Sequence, residues 1–468
     1  MSSSSHDWSR RKFIGSCCAA VSATGLLSAL AQLRVLGAVA NSSSPSDYRA
    51  LVCLFLLGGN DANNLIIPND TSGYATYATG RTSLALPQSV LLGLNPKTSD
   101  GRSWGLHPAM TSLKGLFDSG QAALLGNVGT LCAPTTVAQY KANSVPLPLQ
   151  LFSHNDQQVE WQSSLADKAF ATGWGGRLAD LTNAFNSNNR ISMSISLNGQ
   201  NSFQVGQNVV QYSVNPSGTV SLSGSSTSPT SAAGIRTQAQ SDILASPNAN
   251  LFETAFGNIT AQSVSDSSML SSVLAGAPAL ATAFPTSSLG QQLKMIARLI
   301  SVRSQLGLNR QIFFARVSGW DLHDNQLSAT DPSTGAHATL LGDLSDSMTA
   351  FYNATAELGV QNQVTSFTAS DFGRTLKSNG DGSDHGWGSH HMIVGGAVKG
   401  GDIYGKMPDL TINGPNDTGS GRWVPTTSVD EYSATLAKWF GVSATDMATV
   451  LPNVSRFANA DLGFMSAS

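Results

Sequence analysis

The sequence predicts an α/β fold built on a mostly parallel sheet. Two observations carry that expectation: strand-like apolar runs alternate with helical patterns along the chain, and three of the runs end on an aspartate. The runs are Leu51 to Leu57 (LVCLFLL, then GGND with Asp61), Gln311 to Val317 (QIFFARV, then SGWDLHD with Asp321 and His323), and Gln363 to Ala369 (QVTSFTA, then SDFGR with Asp371). A fourth segment, GSDHGWGSHH, supplies the pair Asp384-His385. In an open α/β sheet, the ends of parallel strands gather at one edge, where ligands bind. Carboxylates and imidazoles delivered there by several strands can converge on a metal.

The remaining elements follow in order. Pro108 to Gly120 reads as a helix, because Met110, Leu113, Leu116 and Phe117 recur at helical spacing and Gly120 supplies the stop. Gln121 to Val128 is a short apolar strand. Ser153 is a good N-cap for a helix beginning Ser153-His154-Asn155-Asp156, and Gly173 to Phe185 continues helically. Arg190 to Val205 alternates like a strand. The Ser/Thr/Gly-rich stretch 215–232 is a loop or linker. From Ser231 to Leu308 the pattern is helical, ending in the amphipathic stretch Leu289 to Leu306. A helix from His337 to Leu358, a strand from Met392 to Val398 and a helix from Glu431 to Phe440 complete the chain. There are no internal repeats. Residues 206–290 read as a Ser/Gly-rich and helical insertion in one domain spanning 41–468.

The first forty residues read as a targeting segment. Ser9-Arg10-Arg11-Lys12-Phe13-Ile14 matches the twin-arginine pattern, an apolar stretch follows to about Leu30, and Ala38-Val39-Ala40 offers a small-residue cleavage site. Export by the twin-arginine translocase places the mature protein in the periplasm or outside the cell. Replacing Arg10 and Arg11 with lysine is expected to leave unprocessed precursor in the cytoplasm on fractionation; normal processing would refute the assignment.

The chain has 26 basic and 29 acidic residues. Removing residues 1–40 takes away Arg10, Arg11, Lys12, Arg34 and Asp7, leaving 22 against 28, a net charge of −6. No electrostatic footprint for nucleic acid remains, and no membrane span follows the signal segment. Charged residues make up only 12% of the chain while glycine numbers 45, a balance that fits an exported protein with loop-rich surfaces. The mature chain keeps Cys53 and Cys132. Cys53 lies inside the first strand and reads as a small core residue. Twin-arginine export carries proteins already folded, so the fold cannot depend on a disulfide made after export.

Asp61, Asp321 and Asp371 each have an ordinary explanation, since aspartate often caps helices or makes turns after strands. Three such positions together with Asp321-x-His323 and Asp384-His385 favour a metal site. His323 is two residues beyond Asp321, so in extended backbone the pair points to one side. His385 lies in a glycine-rich segment able to fold over a site. His390 and His391 are spare candidates, and His107 orients a helix start before Pro108. Ser153 is the candidate nucleophile: a helix N-terminus suits an anionic ester, and a neighbouring metal would activate the hydroxyl. Arg374 is a candidate clamp for phosphate or sulfate oxygens, with pairing to a carboxylate as its alternative.

The segments LFLLGGND, SHNDQQVEW, TGWGGRL, GWDLHDNQ and SDFGRTLKSNGDGSDHGWGSH follow one another as in a family of exported bacterial proteins. The chain resembles DUF1501 from about Tyr48 to the C-terminus, least across 206–290. That family is classed with the alkaline phosphatase and sulfatase superfamily. The resemblance therefore implies a doubly wound sheet and two-metal hydrolysis of phosphate or sulfate esters. It implies metal ligation by Asp61, Asp321, His323, Asp371 and His385, with Ser153 as nucleophile and a divalent ion (zinc, magnesium, manganese or calcium) as cofactor. Two departures stand out. The Asp321-His323 spacing is shorter than the superfamily's, and Phe372 stands where a metal-binding histidine is expected. The leading expectation is an exported metal-dependent hydrolase of small anionic esters. The alternative is a non-catalytic envelope protein that keeps the fold for binding or assembly.

Overall fold

Seven consecutive buried residues, Ala50 to Leu56, make the strand Arg49–Leu57 the centre of the sheet. A run apolar on both faces is what a parallel strand covered on both sides requires. This computed structural model describes residues 47–466, apart from 188–189, 220–223, 227 and 247–249. The twin-arginine segment lies outside the described residues. Residues from Tyr48 onward form one compact unit.

The central strand runs parallel to Val364–Ser370 on one side and to Arg310–Ser318 on the other. Beyond Arg310–Ser318 come Ser194–Ser196 and Tyr212–Asn215, both parallel. On the other side Ser389–Gly395 and then Ala122–Gly129 add in antiparallel pairings, followed by Ile403–Gly405 parallel to its neighbour. The result is a mixed, mostly parallel sheet flanked by helices. Ser288–Ser301, Ala336–Glu357 and Val429–Phe440 supply much of the apolar cover.

Several elements differ from the sequence pattern. Arg190 to Val205 holds only the short strand Ser194–Ser196. Gln204 instead donates to the carbonyls of Ile195 and Ile312, and Asn201 donates to Gln211, so polar side chains rather than a ladder hold this segment. The helical stretch after Ser231 is three helices, Ala232–Ala245, Leu251–Ala275 and Ser288–Ser301, each begun by a capping Ser or Asn. The helix expected from Pro108 starts at Thr111, because the chain first turns around His107, whose Nδ1 accepts the Ala109 N–H at 3.1 Å. Cys53 and Cys132 are both buried and unpaired. No described helix is long and apolar enough to cross a membrane.

Buried ionisable groups away from the sheet edge give a testable pH profile. Burial holds His107 and His390 down to about 4 and His391 to about 3. It pushes Glu160 up to about 8 and Asp430 up to about 7. Between pH 8 and 6.5 the folded chain holds protons on the two carboxyls that the unfolded chain has released, so stability falls as pH rises through this window. Below 6.5 the three imidazoles charge in the unfolded chain and stay neutral in the folded one; three protons outweigh two, so stability falls on acidification as well. Thermal melts are expected to show a maximum near pH 6.5. A melting temperature that climbs steadily to about pH 8 would contradict these assignments.

Candidate metal centre

The three central parallel strands finish at Leu57, Ser318 and Ser370, and their C-terminal edge carries the site. Two glycines after the central strand open it. Gly58 and Gly59 have φ values of 121° and 86°, which glycine adopts without strain. A Cβ on Gly58 would lie 2.5 Å from the Asp321 nitrogen, and one on Gly59 would lie 2.6 Å from the Phe372 ring. The loops carrying Asp321 and Phe372 therefore close directly over bare backbone. A short hairpin, Arg374–Ser378 with Ser383–His385, then sets His385 opposite Arg374. The helix His154–Ser163 brings its first residue to the same place.

Four side chains surround the Asp321 carboxylate. His323 Nε2 and His385 Nε2 lie 3.1 Å and 3.5 Å from its Oδ1, and His154 Nε2 lies 3.4 Å from its Oδ2. Arg374 pairs with Oδ1 from behind. The other ring nitrogens are all engaged by groups that only accept. His154 Nδ1 is 2.7 Å from Asp371 Oδ2, His385 Nδ1 is 2.7 Å from the Phe152 carbonyl, and His323 Nδ1 is 3.3 Å from Asp384 Oδ1. Each Nδ1 therefore carries a hydrogen, which leaves each Nε2 with a lone pair when its ring is neutral. The Nε2 atoms of His323 and His385 face each other across 2.9 Å. Two lone pairs at that separation repel unless a proton or a cation lies between them, and Arg374 Nη1 also approaches His323 Nε2, at 3.4 Å. His154 Nε2 is a buried atom with no hydrogen-bond partner.

Ligand atoms of His154, Asp321 and His385 all lie within 4.8 Å of one another. Imidazole nitrogen with carboxylate oxygen is a donor set for zinc and similar divalent ions. Oriented Nδ1 hydrogens are the supporting contacts such ligands use. The residues present thus fit a divalent metal. Asp321 and His323 are 46% and 43% exposed, so the centre is open to solvent.

The hydrogen bond that His154 donates to Asp371 raises the His154 pKa, while burial lowers that of His385. For Asp321, partial burial works upward, but the hydrogen bond and charge of Arg374 outweigh it and hold the carboxyl below its usual range. Asp371 is buried behind His154, accepting from Gly58 N–H at 3.1 Å and from Gln158 Nε2 at 2.9 Å.

Of the residues the sequence singled out, Asp321, His323, Asp371 and His385 come together here. Asp61 is placed differently. Its Oδ1 accepts from Asn63 Nδ2 at 3.2 Å, while Oδ2 accepts from Gln326 Nε2 at 2.5 Å and pairs with Arg81, so the buried carboxylate is fully used inside the protein. Ser153 begins the expected helix, but its hydroxyl donates to Asp156 Oδ2 at 2.6 Å, and the next residue, His154, meets the carboxylates. Arg374 is buried, with Nε donating to Gly59 O at 3.0 Å, Nη1 to Ser383 O at 3.0 Å and to His323 Nε2 at 3.4 Å, and Nη2 to Gly58 O and Asp321. It takes the carboxylate-pairing alternative, with no face left for an ester. Phe372 forms an apolar wall, its ring 4.8 Å from that of His154 and 4.6 Å from that of His385. His390 and His391 are buried in the strand Ser389–Gly395, occupied by the Asn127 N–H and by Thr368. His154 is the member of the cluster that no sequence pattern singles out. Its only signal was its place directly after the candidate serine.

The family described as "Protein of unknown function (DUF1501)" matches residues 48–445, and the chain belongs to it. Among solved structures, the chain is similar to the PsFucS1 sulfatase from Pseudoalteromonas sp.. The identity is 13% and the TM-score 0.32, over 82% of this chain and 68% of that one. No curated protein matches the chain.

Proposed function

We propose that this DUF1501 protein is an exported, metal-dependent hydrolase of phosphate or sulfate esters. The observation that carries the reading is the approach of the His323 and His385 Nε2 atoms to 2.9 Å, beside the Asp321 carboxylate and open to solvent. His154, Asp321, His323 and His385 would hold the ion, and Asp371 would orient His154. A divalent ion there would supply Lewis-acid chemistry, drawing charge from the ester oxygens and acidifying water. The chain's own residues do the rest. Phe152 and Asp384 fix the tautomers of His385 and His323, Phe372 keeps water from the inner face, and Arg374 keeps Asp321 ionised. The ester class comes from the resemblance of the motifs, and export from the twin-arginine segment.

The test is metal analysis of protein purified after export, together with turnover of 4-nitrophenyl phosphate and 4-nitrophenyl sulfate. A protein that takes up no divalent ion and cleaves neither ester would return the chain to the non-catalytic envelope reading. Because the Ser153 hydroxyl is turned to Asp156, Ser153→Ala is expected to keep its metal and to lose less than about tenfold in turnover, whereas loss of a true nucleophile costs far more. Collapse of turnover with metal retained would restore Ser153 as the nucleophile.

A further inference from the structure

An anionic ester needs a cation that the protein has not already consumed, and Arg374 is consumed. We propose that Arg422 is the anion-recognition residue of the metal centre, presenting its guanidinium to the tetrahedral oxyanion of the substrate; this rests on the hydrolase reading above. Arg422 is half-buried, and its Nε donates to the His385 carbonyl at 2.7 Å. Its guanidinium lies 5.3 Å from the centre of the Phe152 ring. Phe152 in turn accepts from His385 Nδ1 through its own carbonyl. The cation is thus fastened to a proposed metal ligand and to the residue that orients it.

The loop that carries Arg422 is held ready. Asp417 Oδ1 accepts the N–H groups of Gly419, Gly421 and Arg422 at 2.7, 2.8 and 3.1 Å. Unlike Arg374, the Arg422 fork is open. Nη1 has one long contact, 3.5 Å to Gly419 O, Nη2 has no hydrogen-bond partner, and the residue has no ion-pair partner among the described residues. Planar N–H pairs of this kind match two oxygens of a phosphate or sulfate at once, and a lysine ammonium does not.

The experiment measures binding of inorganic phosphate and, separately, inorganic sulfate by calorimetry, with metal content determined on the same samples. It uses the exported full chain, Arg422→Gln and Arg422→Lys. Arg422→Gln is expected to weaken anion binding roughly ten- to a hundredfold and to raise KM more than it lowers kcat, with metal content unchanged and Arg422→Lys in between. The proposal is overturned if Arg422→Gln binds both anions as tightly as the wild type, or if the wild type binds neither. Loss of metal from Arg422→Gln would also overturn it, since the residue would then only position His385. If the wild type carries no metal yet binds an anion through Arg422, the anion site stands and the hydrolase reading falls.

Discussion

Asp321→Asn is expected to abolish both metal binding and ester turnover while the protein stays folded. The carboxylate is the meeting point of His154, His323 and His385, and an asparagine of the same size offers one neutral oxygen and an N–H₂ that would turn a donor toward them. Losing an outer contact of a metal site costs about 10- to 100-fold in affinity or activity. Removing the shared carboxylate itself should exceed that. Arg374 keeps its bonds to the carbonyls of Gly58, Gly59 and Ser383, so the fold has other ties at this point. Metal analysis, turnover and a thermal melt on the same sample decide the matter. Full metal content in Asp321→Asn would sink the site as drawn.

The second large effect concerns stability. Arg81→Met should destabilise the protein by about 3–5 kcal/mol, because removing one partner leaves the other as an uncompensated buried charge. Arg81 and Asp61 are both buried, and burial pulls Arg81 down to about 9 even beside its partner. Arg81 also donates to the carbonyls of Thr375 and Leu376, which tie the helix Thr71–Arg81 to the hairpin that carries His385. Adding Asp61→Asn to Arg81→Met should recover a large part of the loss in a denaturant titration. If instead Asp61→Asn alone stripped the metal and left stability unchanged, Asp61 would belong with the ligands.

Much of the sheet edge was legible in the chain. Leu51 to Leu57, Gln311 to Val317 and Gln363 to Ala369 announce buried parallel strands, because strands covered on both faces need continuous apolar runs. Aspartates placed just after them had to arrive near that edge. Alternation in Arg190 to Val205 misled, since a polar loop half-packed on a core produces the same pattern as a strand.

What the sequence determined by itself was this local chemistry: strand ends, acidic and imidazole side chains, helix caps and the twin-arginine pattern. Each depends on neighbours a few residues away. Which carboxylate faces the centre was decided only by tertiary structure. Asp61 and Asp321 look alike after their strands, yet Asp61 meets Arg81 and Gln326 while Asp321 meets three imidazoles. The same holds for Arg374, turned inward, and Arg422, left open, and for His154 taking the place in the cluster expected of Ser153. These outcomes are set by contacts between residues up to hundreds of positions apart. A side chain's partner there depends on how loops close over Gly58 and Gly59, and no local pattern encodes that.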